Sequence, residues 1–169
     1  MSKKKTKKGY FAVHNITGAV RAHGAPWTWA FRQRYGDRLG VSTFSEPQAV
    51  VNSLCHLLDP TRPQRVRVLT DNTVTQASFQ RGYNGRSFHI NECLRRLHAV
   101  FGESFFFDFS YLPGECNPAD GFSRGKRIAQ GEEERDRLMS AELQRVAGSV
   151  ALPRQIESPA LASLLLAAS

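Results

Sequence analysis

Val66-Arg67-Val68-Leu69-Thr70-Asp71-Asn72 is the stretch on which the fold turns. The run from Val66 to Thr70 is β-branched and apolar, a strand pattern, and Asp71-Asn72 is a turn pair that ends it. Helical patterns flank it on both sides. Upstream, Ser45-Glu46-Pro47-Gln48 predicts a helix start, with Ser45 as the cap, Gln48 at the capping-box spacing and Pro47 in the tolerated first turn. Val50, Leu54, Leu57 and Leu58 continue it as one buried stripe, and Pro60 with Pro63 forbids further extension. Downstream, Thr73 to Arg81 is helical and Tyr83-Asn84-Gly85-Arg86 is a loop. Ser87 then caps a helix that turns Ile90, Leu94, Leu97 and Phe101 inward and Arg95 and Arg96 outward, ending at Gly102. Helices attached to a mixed sheet give an α/β domain, and a parallel pair of strands needs the crossover that the Glu46 helix supplies.

Farther out, Phe105, Phe107, Phe109 and Tyr111 alternate along a strand with Asp108 on its other face, and Pro113-Gly114 turns the chain. Asn117-Pro118-Ala119-Asp120 combines a cap, a first-turn proline and a first-turn acid, which predicts a short helix. Toward the N-terminus, Tyr10 to Val13 and Pro26-Trp27-Thr28-Trp29-Ala30-Phe31, broken by Gly18 and Gly24, predict about three antiparallel strands. Arg21 to Ala25 alternates poorly and reads as either strand or loop. Trp27 and Trp29, two apart, share a strand face and belong to the core. The expected organisation is a basic disordered arm over 1–9, one domain over 10–127, an accessory helix over 128–148 around Arg135 to Ala147, and a flexible tail over 149–169.

Composition narrows the function. The 169 residues are 41% hydrophobic and 22% charged, which suits a single packed domain. Lys plus Arg number 23 against 15 Asp plus Glu, a net charge of +8 that favours an anionic partner, nucleic acid first. Lys3, Lys4, Lys5, Lys7 and Lys8 form the basic arm, which suits nuclear import, a nonspecific phosphate grip or a solvated end. Arg81, Arg86, Arg95 and Arg96 cluster around the second helical region and can track a duplex backbone. Cys55, Cys93 and Cys116 have neither disulfide-framework nor zinc spacing, and His56, His89 and His98 have no mutual metal spacing. The basic start lacks an apolar signal core, and Leu161 to Ala168 is too short to span a bilayer. An intracellular location, nucleus or cytoplasm, with no membrane contact, is expected.

Three acids stand at element edges: Glu46 at a helix start, Asp71 just past a strand, and Asp120 in the first turn of a late helix. Each alone is ordinary turn or helix-terminus chemistry. Carboxyl ends of strands border the binding crevice of open α/β sheets, so acids delivered there from distant parts of the chain can converge on Mg²⁺. Thr70-Asp71-Asn72 after a strand, and Tyr111-Leu112-Pro113-Gly114-Glu115-Cys116-Asn117-Pro118-Ala119-Asp120-Gly121-Phe122-Ser123-Arg124 before a helix, resemble the ribonuclease H domain of retrotransposon reverse transcriptases. The second run resembles the ending found in long-terminal-repeat and tyrosine-recombinase elements. Gly85-Arg86-Ser87 with Asn91-Glu92 and Leu94 resembles kinetoplastid-type elements. The likeness covers about residues 10–127.

That resemblance implies a ribonuclease H-like α/β fold, a five-stranded mixed sheet flanked by helices, with an Asp-Glu-Asp-Asp site for two Mg²⁺ (or Mn²⁺) ions. It carries the helix acid onto Glu46, the post-strand acid onto Asp71 and the final acid onto Asp120. It further implies RNA–DNA hybrid as partner, hydrolysis of the RNA strand by two-metal catalysis, and a neighbouring reverse transcriptase domain. One position departs from the family. Where the opening strand should carry the first acid, this chain has Val13-His14-Asn15-Ile16-Thr17-Gly18-Ala19, without a carboxylate. Asp37, in Gly36-Asp37-Arg38, has no setting that makes it a replacement. The other reading is therefore a catalytically degenerate module that binds nucleic acid or protein.

Overall fold

A computed structural model describes residues 7–14, 20–114, 117 and 162–168. The elements are β1 (Lys7–His14), β2 (Val20–Pro26), α1 (Trp29–Tyr35), a 3-10 turn (Gly36–Arg38), α2 (Ser42–Leu57), β3 (Gln64–Thr70), α3 (Thr73–Arg81), α4 (Phe88–Phe101), β4 (Phe106–Tyr111) and β5 (Ala162–Ala168). This is the mixed α/β class that the helix–strand–helix pattern predicts. The strands hydrogen-bond in the order β2-β1-β5-β3-β4. β3 runs parallel to β4 and β5, whereas β1 is antiparallel to β2 and β5.

The parallel pair organises the core. Val66 lies opposite Phe107 and Val68 opposite Phe109, and strand alternation puts all four on one face. Val50, Val51 and Leu54 of α2, Phe79 of α3, and Ile90, Leu97 and Phe101 of α4 close over that face in one buried cluster. Phe105, Phe107 and Phe109 stack along it at ring separations of 5.8 and 6.1 Å. The predicted helix stripes are thus the buried ones, except that Leu57 and Leu94 pack only at the periphery. Gly82 and Gly102 end α3 and α4 at φ of 87° and 64°, backbone angles that favour glycine.

The other face of the same pair carries an ion pair. Arg67 Nε donates to Asp108 Oδ2 at 3.1 Å, with only 13% and 9% of the two side chains exposed, and Ser110 Oγ donates to the same oxygen at 3.3 Å. The outer border of β4 is held by side chains. Gln76 Nε2 donates to the Phe109 carbonyl and the Phe109 N–H donates to Gln80 Oε1, both at 2.8 Å, from successive turns of α3.

Several expectations are corrected. The run Trp27 to Phe31 starts α1, not a strand, because Trp27, Phe31 and Tyr35 recur every four residues, Trp27 stacking on Phe31 at 5.0 Å and Phe31 meeting Tyr35 at a tilt at 4.8 Å. The Thr28 hydroxyl caps the helix by accepting from the Phe31 N–H. Trp27 and Trp29 therefore part company: Trp27 is 2% exposed and Trp29 is 70% exposed. Arg21 to Ala25 is strand, so β1 and β2 form a hairpin and no third N-terminal strand follows.

α2 begins at Ser42, ahead of the expected cap. The Ser45 hydroxyl donates to the Val41 carbonyl inside the helix, and Pro47 lies in its interior. The lost proline N–H falls opposite Thr43, an exposed residue whose carbonyl water can serve. Nor does α2 join the parallel neighbours. It connects β2 to β3, which β1 and β5 separate, while α3 and α4 span the β3–β4 connection.

Lys7 and Lys8, expected in the disordered arm, open β1. Ala162 to Ala168, expected in the flexible tail, is β5, paired on both sides by β1 and β3. The short run Leu164 to Ala168 is apolar at every position, which suits a strand flanked on both sides. The accessory helix expected over 128–148 lies outside the described residues.

Removing one partner of a nearly buried ion pair strands the other charge. Asp108→Ala is expected to lower unfolding free energy by about 3–5 kcal/mol in urea titrations, and Asp108→Asn, which keeps an acceptor for Arg67, by less. A loss under about 1 kcal/mol for the alanine variant would show that water screens the pair.

Candidate active site

The short connection between α2 and β3 reverses the chain. α2 has 16 residues and β3 has 7, lengths of about 24 Å and about 23 Å at helical and extended rises. The start of α2 and the end of β3 consequently stand at one end of the sheet. Glu46 lies in the early part of α2 and is 2% exposed. Asp71 follows β3 directly and is half-buried.

The loop after β4 folds back onto this end. The Leu112 N–H donates to the Thr70 carbonyl at 3.0 Å, and the Asn117 N–H donates to the Gly114 carbonyl at 3.1 Å. Gly114 then passes so close to Asp71 that a methyl group at position 114 would lie 3.1 Å from Asp71 Oδ2. Asn117 is 5% exposed. The Asp71 backbone is fixed from the other side as well: the Asn72 N–H donates to Thr70 Oγ1 at 3.2 Å, and Asn72 Oδ1 caps α3 by accepting from the Thr75 N–H at 2.8 Å.

Two of the three expected acids, Glu46 and Asp71, are therefore described at one end of the sheet, and Asp120 lies outside the described residues. Among the described residues, no group of three or more His, Cys, Asp or Glu side chains is placed to hold a metal. Carboxylate oxygens are the donors that Mg²⁺ prefers, so the chemistry of the pair fits that ion as far as it goes. β1 contains no carboxylate, and neither does β5, the strand beside β3. Gly114 was expected as a turn residue only; its approach to Asp71 depends on a contact distant in sequence.

The loop before α4 is pinned by amides. Asn84 exchanges backbone bonds with the Asn91 side chain, its Nδ2 donates to Ser78 Oγ, and its Oδ1 accepts from the Arg86 and Ser87 N–H groups. Asn91 of the Gly85-to-Leu94 pattern is thereby a loop anchor.

The basic residues disperse. Lys3, Lys4 and Lys5 lie outside the described residues, and Lys7 opens β1. The Lys8 ammonium sits 5.4 Å from the Trp27 ring centre, and burial, reinforced by Arg96, lowers its pKa. Arg81 lies over Tyr83, and Arg95 pairs with Glu92 and lies over Phe88. Arg96 donates to Asn52 Oδ1 at 2.7 Å. Arg86 and Arg96 line a groove together with Arg34 of α1 and Arg38 of the 3-10 turn, two arginines brought there by packing between segments distant in sequence.

No family model matches the chain, and neither curated proteins nor solved structures give a match. No helix among the described residues is long and apolar enough to cross a membrane.

Cys93 and His89 are both engaged in packing between α2 and α4. Burial pushes the Cys93 thiol up to about 11, which keeps it protonated. Cys116 lies outside the described residues. His89 Nε2 is 2.9 Å from the Phe44 carbonyl, to which it donates, and its ring stacks on Phe44 at 4.0 Å. Burial, with Arg38 adding to it, lowers its pKa below 6.5. The unfolded chain then takes up this proton before the folded one does. The contribution of neutral His89 to stability is present above pH 6.5 and is lost as pH falls below it. Thermal melts should show a steeper fall in Tm between neutral and mildly acidic pH for the parent than for His89→Gln, and parallel curves would remove His89 as the cause.

Proposed function

We propose that the chain is a ribonuclease H-like domain of retroelement origin that binds RNA–DNA hybrid, with Glu46, Asp71 and Asp120 as the acids that would hold Mg²⁺. The observation that carries this reading is the return of Leu112 to Gly114 onto Thr70 and Asp71. It joins the two stretches whose sequences carry the resemblance, at the carboxyl end of a parallel strand, where α/β sheets bind ligands. Divalent metal bound there would activate water toward the scissile phosphodiester and neutralise the charge that builds on it.

The chain's own groups act around that centre. Thr70 and Leu112 fix the Asp71 backbone, and the bare Gly114 leaves room for its carboxylate to turn. Exposed arginines such as Arg81, Arg86 and Arg95 would hold phosphates of the duplex. Selection of RNA would come from 2′-hydroxyl contacts across the minor groove and from helix shape. A reverse transcriptase domain is the partner that this reading implies.

A second reading has its own observation. β1 and β5 lack any carboxylate, so the acid that would bridge two metals has no candidate on either strand. A ribonuclease H-like module that retains binding to nucleic acid or protein without hydrolysis would have this composition.

Purified chain incubated with Mg²⁺ or Mn²⁺ and an RNA-labelled hybrid separates the two. The hydrolytic reading expects cleavage that Asp71→Asn and Asp120→Asn abolish. Absence of cleavage by the parent defeats that reading, and salt-dependent hybrid binding then supports the second.

A further inference from the structure

A groove of about 830 Å³ separates α1 and the 3-10 turn from α4, with α2 as its floor. Arg34 and Arg38 stand on one wall, and Arg86 and Arg96 on the other. The carboxylate among its lining residues, Glu92, is ion-paired to Arg95. Four arginines therefore line a space that offers them little negative charge, and one of them, Arg96, also donates to Asn52 Oδ1 at 2.7 Å. Two are held in place by aromatic faces: Arg34 lies 5.2 Å from the Tyr35 ring centre and Arg38 lies 5.7 Å from that of Phe44.

At the rim stands Phe88, 74% exposed. An aromatic ring left in water beside an arginine groove is a mismatch for a solvated surface and a match for a stacking ligand. Nucleobases have π-faces, and a strand of nucleic acid presents them at intervals between phosphates. In a duplex those faces are occupied by neighbouring base pairs. One side of the Phe88 ring is covered by the Arg95 guanidinium, 5.8 Å from the ring centre. Carboxylates of an acidic peptide could meet the groove arginines but would leave the solvent-facing part of that ring uncovered.

We propose that this groove binds a short length of single-stranded nucleic acid, with phosphates on Arg34, Arg38, Arg86 and Arg96 and an unpaired base stacked on Phe88. The proposal needs no metal and none of the three acids; of its arginines, Arg86 and Arg96 are shared with the duplex-binding reading, whereas Arg34 and Arg38 are not.

Fluorescence anisotropy of the full chain with a fluorescein-labelled oligo-dT strand, in EDTA and across a salt series, tests it. Arg34→Gln combined with Arg38→Gln should make the slope of log affinity against log salt shallower by about 1.4, the loss of two phosphate contacts to a single strand. Phe88→Ala, at an exposed position, should weaken binding about ten-fold with its melting temperature unchanged. Arg62→Gln, a charge in the α2–β3 connection, should leave affinity as it is. Failure of the parent to bind at low salt overturns the proposal, as does a loss of paired-duplex binding in the double arginine variant as large as its loss of strand binding. Equal displacement of the strand by polyglutamate, with Phe88→Ala unaffected, would assign the groove to an acidic protein and overturn it too. EDTA keeps this outcome separate from hybrid cleavage.

Discussion

The registration of β3 against β4 is the constraint on which the rest of the described structure depends. It sets Val66 beside Phe107 and Val68 beside Phe109, and so gives α2, α3 and α4 one continuous apolar face to cover. A slip of β4 by one residue would bring Asp108 under the helices and turn Phe107 and Phe109 away from them. The ion pair on the reverse face opposes that slip, because Arg67 and Asp108 meet only in the observed register. Two faces of one strand pair thus specify the same alignment, one by burial of hydrocarbon and one by charge.

The same registration positions the candidate site. Asp71 is delivered by the end of β3, and the loop after β4 reaches it because the two strands end side by side, Thr70 opposite Tyr111. A parallel pair brings like ends together, so residues as far apart in sequence as Thr70 and Tyr111 share one rim without any special device. Helix α2 then enters from the same end, with Glu46 in its early part.

Much of this was legible in the sequence because it depends on local periodicity. The Ile90-to-Phe101 stripe, the Ser87 cap, the turn at Asp71-Asn72 and the alternating phenylalanines each need only a neighbour or a turn to be recognised. The failures occurred where two periods competed. Trp27 and Trp29 suggested a period of two, while Trp27, Phe31 and Tyr35 carried the period of four that the ring contacts obey. At the candidate site, Asp71 could be found from its place after a strand. Neither the close pass of Gly114 nor the meeting of Arg34 and Arg38 with Arg86 and Arg96 could be found that way. Both are products of tertiary packing between segments that are remote along the chain. β5 escaped for a related reason, since an apolar run near a terminus acquires strand geometry only from the partners on either side of it.

The glutamines that hold the border of β4 have an effect beyond this one chain. A strand from a neighbouring molecule, approaching that border, would find the Phe109 N–H and C=O already engaged by Gln80 and Gln76. Outward growth of the sheet into a fibre is resisted there by two neutral amides on a helix, without the lysines or prolines with which exposed strands are more often defended.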